Sequence, residues 1–196
     1  MTIPYLHSAS TRLLKQTCKD LGRHEPYNEW AVPHPLSPIG RKYRGEDWPW
    51  GSVHARSLLG RIKGAKEEDG AQWMVGYGFT NGVTPDSSIP KIRADRKLEE
   101  LVLAMDGLLG SKLPWYKDAS LVTKSVLINM GLDMGLQGLL SYKNTLAFIK
   151  AGQWDKAANS MKLSIWYAKN GSRAKELAKR ILTQSVEPQH KTEDSM

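Results

Sequence analysis

The stretch of sequence that decides the fold is residues 128–174, INMGLDMGLQGLLSYKNTLAFIKAGQWDKAANSMKLSIWYAKNGSRA. Apolar residues recur in it at helical spacing: Leu140, Leu146, Phe148, Ile149, Ala157, Ala158, Met161 and Ile165. The same stretch contains polar and aromatic residues that a packed core does not need, namely Asp133, the neighbours Trp166 and Tyr167, and Arg173. We therefore expect a set of helices that forms one wall of a cleft.

Composition and length place the chain among ordinary soluble globular proteins. Its 196 residues are 40% hydrophobic and 24% charged, which suffices for one full core or for two small lobes that share a helix. No run of 18 apolar residues exists, so no membrane span is expected, and the N-terminal residues do not predict a secretory signal. The single cysteine, Cys18, excludes an internal disulfide and a cysteine zinc cluster, and we expect it to act as a small apolar residue on a helix face.

The chain carries a formal charge of +8, which favours an anionic partner. Nucleic acid, an anionic glycan and an anionic membrane all qualify, as does a solvated basic face with no specific partner. The histidines lack metal-site spacing, and the glycines of Gly76-Tyr77-Gly78 do not form a nucleotide-binding motif. We therefore predict no metal and no cofactor.

The first half of the chain reads as one helix followed by a small lobe. A helix is predicted over 11–21, with Leu14, Cys18 and Leu21 on one face and Gly22 ending it. Five prolines and three tryptophans between residues 23 and 51 predict irregular structure there. Residues 52–66 fit either a helix or a strand entering a hairpin, residues 67–70 a turn, and residues 72–79 a strand.

The second half reads as helical throughout. An amphipathic helix carrying Leu98, Leu101, Val102, Met105 and Leu108 is expected to end at Gly110 and Pro114. A central buried helix is predicted over 119–130, and further helices over 137–150, 154–165 and 172–183. The fold class predicted is α+β within a single domain: an arm and first helix (1–22), a small lobe with a hairpin (23–88), a helical lobe (89–184) and a flexible tail (185–196).

Several motifs of the helical half closely resemble the C-terminal lobe of the T-even phage-type lysozymes, glycoside hydrolase family 24. They are NMG at 129–131, GLQGLLSYKNTL at 135–146, AGQWDKAA at 151–158 and SIWYAKNGSRAK at 164–175. The strand WMVGYGFTNG at 73–82 resembles the second strand of that family, and SSIPKIRADRKLEEL at 87–101 resembles its entry into the helix that links the lobes. The resemblance covers about residues 72–183 and implies a lysozyme-like fold.

This resemblance implies a phage muramidase, an endolysin or a virion-associated lysin. Such an enzyme cleaves the β-1,4 bond between N-acetylmuramic acid and N-acetylglucosamine in bacterial peptidoglycan. The reaction needs one carboxylic acid that protonates the leaving oxygen and a second carboxylate that assists water or stabilises the cationic transition state. A monomer would be made in the host cytoplasm and act in the periplasm, or be packaged in the virion. No binding of nucleic acid is expected.

The proposed catalytic acid is Glu25, because the family's acid follows its first helix. Counting back from the strand by the family spacing instead reaches Leu59, which is not acidic, so we interpret residues 26–66 as an insertion. Arg173 supports this interpretation, since its counterpart in the family pairs with the acid.

Two positions depart from the family: its strand threonine is replaced by Met74, and its strand-end histidine by Phe79. Methionine cannot orient a water molecule as threonine does.

The second carboxylate has several candidates. Glu68 comes first, within the turn Glu67-Glu68-Asp69, and Glu46 is the alternative inside the insertion. For each, the competing interpretation is a solvated surface carboxylate.

Substrate contacts are assigned by resemblance to Asp133, Met134 and Gly135, which match a loop between helices that faces the family's cleft. Trp166 is assigned to the same site, with core packing as the competing interpretation. The tryptophans at 30, 48 and 50 either stack on sugar or hold the insertion in place.

Two other functions remain open from the sequence. Met74 and Phe79 also fit a lysozyme scaffold that has lost the reaction and binds the cell wall or belongs to the virion. A nucleic-acid binder would use the basic surface and would show steeply salt-dependent affinity, but no recognised binding motif is present.

Overall fold

The computed structural model describes residues 8–24, 27–33, 73–84 and 86–184. Most of these residues are helical, and a small antiparallel sheet accompanies the helices, which is compatible with the predicted α+β class. The elements are α1 (Ser8–His24), β1 (Asn28–Pro33), β2 (Trp73–Gly76), α2 (Lys91–Lys112), a 3-10 helix (Pro114–Asp118), α3 (Leu121–Leu140), α4 (Lys143–Lys150), α5 (Trp154–Lys162) and α6 (Ile165–Thr183). Among the residues described, no helix is both long enough and apolar enough to cross a membrane.

Helix α1 is longer than predicted at both ends. It begins at Ser8 and continues through Gly22 to His24, so its last residue directly precedes Glu25 in the chain. The buried face of the helix is also different from the predicted one, because two of its three positions lie one residue earlier in the chain. Leu13, Thr17 and Leu21 are buried, whereas Leu14 and Cys18 are half-buried. Positions 13, 17 and 21 are one turn apart, so they form the stripe that packs inward.

The sheet pairs β2 with a strand that the sequence did not predict. Residues 28–33 fall within the segment expected to be irregular, yet they form β1, which pairs antiparallel with β2 in the register Val32 opposite Met74 and Pro33 opposite Trp73. Pro33 lies at the end of β1, where its missing N–H costs least. The proposed insertion 26–66 therefore does not hold as one irregular segment, because part of it is paired strand. The segment 52–66, the other candidate for hairpin pairing, lies outside the described residues.

The other edge of β1 is bonded to the chain that leads into α2. The Ala31 N–H donates to the Ser87 carbonyl at 2.9 Å, and the Ile89 N–H donates to the Glu29 carbonyl at 2.9 Å. The Tyr27 hydroxyl donates to the Ile89 carbonyl at 2.7 Å. These bonds fix β1 between β2 and residues 87–89, which satisfies backbone groups on both edges of the strand.

Beyond β2 the predicted strand 72–79 stops earlier than expected. After Gly76, which has a φ of 67°, the chain turns, and Phe79 forms a bridge back to Val75. The Tyr77 hydroxyl in this turn donates to Asp95 at 2.6 Å, and Lys91 donates to the same carboxylate at 2.8 Å. Lys91 and then Tyr77 donate hydrogen bonds that hold the pKa of Asp95 below its usual value.

The chain divides into two compact units, with divisions between Thr17 and Cys18 and between Glu100 and Leu101. The described part of one unit is 8–17 and 101–184. That of the other is 18–24, 27–33, 73–84 and 86–100. The single-domain boundaries expected from the sequence stay a prediction.

In the larger unit the core is helical. Helix α5 packs on α4 and α6, and α6 also packs on α3. Helix α3 is the most deeply buried, with a continuous run of buried residues from Ser125 to Gly131, as predicted for the central helix. A Cβ atom on Gly131 would lie 2.8 Å from the Met105 sulfur, so a larger residue at this position would require the Met105 side chain to shift.

Three predicted helix boundaries were wrong. Gly110 lies inside α2, which continues to Lys112, two residues before Pro114. Residues 131–136, which were expected to separate two helices, belong to α3, which continues to Leu140, and α4 is a separate short helix. Helix α6 begins at Ile165 and continues past Gly171 with a kink, rather than beginning at residue 172.

Cys18 is expected to react slowly with thiol reagents. Burial, followed by the negative charges of Glu99 and Asp95, raises its pKa from 9.0 to about 11. Since the thiolate is the reactive form, alkylation by iodoacetamide at pH 8 should be at least about tenfold slower than that of a free thiol. The rate should still be rising above pH 10, and a plateau near pH 9 would contradict the shift. Labelling in urea supplies the unfolded reference.

Candidate functional site

Facing sides of α3 and α6 carry the polar residues that the sequence singled out. Asn129 and Asp133 are one turn apart on α3, and Trp166 and Arg173 are two turns apart on α6. Trp166 contacts Asp133, and Arg173 contacts Asn129, so the two helices are joined by polar contacts at two levels. All four residues belong to the same compact unit.

The contact between Trp166 and Asp133 joins a buried ring to a surface carboxylate. The Trp166 indole N–H donates to Oδ2 of Asp133, and the tryptophan is only 5% exposed while the aspartate is exposed. A buried indole usually finds a hydrogen-bond acceptor, and here the acceptor is a charged group. The burial favours packing as the main role of Trp166, and its N–H orients the carboxylate of Asp133 at the surface.

The contact between Arg173 and Asn129 lies inside the unit. Nη2 of Arg173 is 3.3 Å from the Asn129 carbonyl oxygen and 3.4 Å from its Oδ1, and both residues are buried. The Asn129 side-chain amide donates in turn to the Ser125 carbonyl at 2.9 Å. This chain of hydrogen bonds holds a guanidinium within the helical unit, where an unsatisfied charge would be costly.

A kink at Gly135 follows directly after Asp133 and Met134. Gly135 has φ 76° and ψ 161°, a conformation that residues with a side chain rarely adopt. The three residues that resemble a loop between helices therefore lie at a bend inside α3 rather than in a loop. The bend ends the straight part of the helix one turn beyond Asn129, where Asp133 reaches the surface.

A second kink shapes α6 between Trp166 and Arg173. Ser164 caps the helix by accepting a hydrogen bond from the Tyr167 N–H at 3.1 Å, which fixes the first turn that contains Trp166. Gly171 then has φ 48° and ψ −121°, which is non-helical. The Asn170 amide donates to the Trp166 carbonyl at 3.0 Å across this turn. Both ends of the α6 segment are thus fixed locally.

The structure describes some of the predicted site residues and not others. Asp133 and Trp166 are in direct contact, Met134 and Gly135 adjoin them, and Arg173 contacts Asn129. The three proposed catalytic carboxylates, Glu25, Glu46 and Glu68, lie outside the described residues, so their roles stay predictions. Asn129 was not predicted to have a role. The NMG motif at 129–131 drew attention to the position, but its bond to a residue 44 positions away has no signal in the sequence.

Met74 and Phe79, the two departures from the family pattern, are core residues of the smaller unit. Both are buried, and Phe79 lies so close to Gly76 that a Cβ there would be 2.8 Å from its ring. The Lys97 ammonium lies 4.5 Å from the centre of the Phe79 ring, a cation–π contact. These positions therefore contribute packing to the sheet and place no hydroxyl or imidazole there.

Removing the acceptor of the Trp166 indole is expected to weaken the larger unit. Asp133→Leu leaves the buried N–H without its partner and should lower the free energy of unfolding by about 1–2 kcal/mol. Asp133→Asn retains a side-chain carbonyl oxygen and should cost less than about 1 kcal/mol. Urea denaturation of both variants measures the difference, and equal stability of the leucine variant and the wild type would contradict the described contact.

Comparison with known protein families finds no family model that matches the chain. Among the curated proteins that are similar over part of the chain are the following two. The chain is 32% identical over 68 residues to a probable T4-type lysozyme of Dictyostelium discoideum, a match that covers 35% of this chain and 40% of that protein. It is 34% identical over 61 residues to the pre-baseplate central spike protein Gp5 of Enterobacteria phage T4, which covers 31% of this chain and 11% of that protein. The chain thus spans less than half the length of either relative.

Proposed function

We propose that this protein is a peptidoglycan-degrading muramidase of the T4-lysozyme type, an endolysin or a virion-associated lysin. The observation that carries the proposal is the α3–α6 site, in which the buried Trp166 orients the surface carboxylate of Asp133 and, one turn away on α3, Asn129 accepts from the buried Arg173. The similarity of about a third of the chain to a T4-type lysozyme supports the same conclusion. The bond cleaved would be the β-1,4 link between N-acetylmuramic acid and N-acetylglucosamine.

Glu25 is the proposed general acid. Helix α1 ends at His24 and β1 begins at Asn28, so Glu25 occupies the short connection between the first helix and the first strand. That is the place in the chain where the resemblance puts the acid. Its task is to protonate the glycosidic oxygen as the bond breaks, which requires a carboxyl group that stays protonated near neutral pH. The resemblance assigns Arg173 as the partner of this acid, and that assignment remains part of the proposal.

The second carboxylate is proposed to be Glu68, with Glu46 as the alternative. Because β1 ends at Pro33 and β2 begins at Trp73, both candidates belong to the connection between two paired strands. The resemblance places an aspartate in that same connection, so the long insertion is proposed to extend the hairpin rather than to precede it. Such a carboxylate would activate water or stabilise the oxocarbenium-like transition state.

Asp133, Met134 and Gly135 are proposed to contact the substrate. The carboxylate of Asp133 can accept hydrogen bonds from sugar hydroxyl or acetamido N–H groups, and Gly135 at the bend is exposed like Asp133. Trp166 is proposed to support this site by positioning Asp133. The protein is proposed to act as a monomer on bacterial peptidoglycan, after synthesis in the host cytoplasm and passage to the periplasm, or from within the virion.

A second candidate function is a cell-wall-binding or virion structural protein that retains the scaffold without the reaction. Two observations favour it: Met74 and Phe79 are buried packing residues at two positions of the family's site pattern, and part of the chain is similar to a phage central spike protein. Such a protein would bind purified peptidoglycan without releasing reducing ends.

Loss of turbidity of permeabilised Gram-negative cells separates the two candidates. A muramidase clears the suspension at a rate proportional to enzyme concentration. A binding protein sediments with the cells and leaves their turbidity unchanged, an outcome that would overturn the enzymatic proposal in favour of the second candidate.

A further inference from the structure

The positive charge of the chain is concentrated in its last three helices. Residues 141–184 contain nine Lys and Arg against two acidic residues, Asp155 and Glu176, and so carry a formal +7 of the chain's +8. All seven lysines among these nine are exposed. Glu176 is paired with Arg180 at 2.6 Å, so one of the two acidic groups is already matched within α6. This part of the surface therefore presents almost exclusively positive charge.

The corner between α5 and α6 adds two protruding apolar side chains to this basic surface. Leu163 is 89% exposed and Ile165 is 74% exposed, more than any other large hydrophobic residue among those described. They flank Ser164, whose hydroxyl caps α6 and donates to the Met161 carbonyl at 2.6 Å. The backbone of the corner is thus fixed by its own hydrogen bonds, and both side chains point into solvent at considerable cost.

The corner's surroundings indicate what covers these side chains. Lys162 precedes Leu163 in the chain, and Lys169 lies one turn after Ile165 on α6; both lysines are exposed. A second copy of the chain would bring like charges together, and a nucleic acid would gain nothing from leucine and isoleucine. An anionic bilayer suits both the lysines and the apolar side chains. Its charged headgroups attract lysine, and the boundary of its acyl chains accommodates leucine and isoleucine side chains.

From this combination we infer that the α5–α6 corner is a docking site for the headgroup surface of an anionic lipid bilayer. Leu163 and Ile165 insert at the acyl boundary, and Lys162 and Lys169 contact lipid phosphates. Docking of this kind is peripheral and reversible, since two side chains bury little apolar area. It does not depend on hydrolysis of any substrate and would hold for a catalytically inactive protein.

Co-sedimentation with large unilamellar vesicles tests the inference with the full chain. Vesicles of phosphatidylcholine mixed with phosphatidylglycerol should bind the protein, and vesicles of phosphatidylcholine alone should not. The double substitution Leu163→Ser and Ile165→Ser should weaken binding about tenfold, because the apolar contribution is lost. Lys162→Gln and Lys169→Gln should each weaken it about fivefold, and high salt should reduce the wild-type binding.

A matched control is Ile92→Ser. Ile92 is 65% exposed, but its neighbour Lys91 is paired with Asp95, so this substitution should leave vesicle binding unchanged. Three outcomes would overturn the inference: equal binding to both kinds of vesicle, unchanged binding of the double serine variant, or a dimer of the wild type in solution that this variant abolishes. Circular dichroism of each variant verifies that the fold is retained.

Discussion

Glu25→Gln is expected to abolish lysis of permeabilised Gram-negative cells, with a rate at least about a thousandfold below that of the wild type. Glutamine has nearly the shape of glutamate but carries no proton that it can donate to the leaving oxygen. Binding to purified peptidoglycan should be retained, because the substitution alters the chemical step and leaves the surface of α3 and α6 unchanged. Initial rates of turbidity loss measure the effect.

Glu29→Gln is the matched control for this substitution. Glu29 is an exposed glutamate on β1, four residues after Glu25, and its described role in the sheet is through its backbone carbonyl. The variant should therefore lyse cells at the wild-type rate. Glu68→Gln and Glu46→Gln, measured alongside, identify the second carboxylate by the larger loss. Wild-type activity in Glu25→Gln would remove that residue from the catalytic site.

Leu127→Ala is expected to lower the free energy of unfolding by about 2–5 kcal/mol. Leu127 is completely buried in the middle of α3, among the neighbouring buried residues Val126 and Ile128. Truncation removes apolar contacts and leaves a cavity that the surrounding helices cannot fully close. The midpoint and slope of a urea denaturation curve measure this decrease in the free energy of unfolding. The decrease is large because α3 is the central buried helix of the larger unit.

Leu121→Ala supplies the control on the same helix with the same chemical change. Leu121 begins α3 and is 39% exposed, so its truncation should cost less than about 1 kcal/mol. A similar loss of stability in both variants would contradict the placement of α3 at the centre of the unit.

The helical half was predictable because its apolar residues repeat at helical spacing. The central buried helix, α5 and the strand around Trp73 are confirmed, although the central helix continues to Leu140 rather than ending at residue 130, and the other two end earlier than predicted. The helix ends that were predicted at glycine residues were wrong. Gly22 and Gly110 lie inside helices, where tertiary packing outweighs the intrinsic cost of about 1 kcal/mol per glycine, and Gly171 kinks α6 without ending it.

Strand β1 shows a different limit of sequence reading. Asn28–Pro33 is short, ends in proline and sits among prolines and tryptophans, so local pattern favoured irregular structure. What makes it a strand is pairing with residues of β2, far away in the chain, together with the hydrogen bonds that Ala31 donates to Ser87 and that Glu29 accepts from Ile89 in the chain entering α2. Non-local pairing of this kind leaves no periodic signal in the strand itself.

The site was predictable in its residue types but not in its contacts. Asp133, Trp166 and Arg173 stood out as polar or aromatic residues in an apolar helical pattern, and two of them prove to be hydrogen-bonded to each other. The link from Arg173 to Asn129 depends on how α6 packs on α3, which single-sequence spacing does not encode. Similarly, the sequence around Trp166 does not predict that the ring is buried or that its N–H donates to a surface carboxylate.

The identity of the soluble products tests the central claim most directly. Purified peptidoglycan is digested with the wild-type protein, the products are reduced with borohydride, and their reduced ends are identified by mass spectrometry. A muramidase releases fragments that end in reduced N-acetylmuramic acid, and Glu25→Gln should release almost none. Fragments ending in reduced N-acetylglucosamine or in anhydro sugar, or an absence of soluble fragments with the protein bound to the wall, would contradict the proposed hydrolysis.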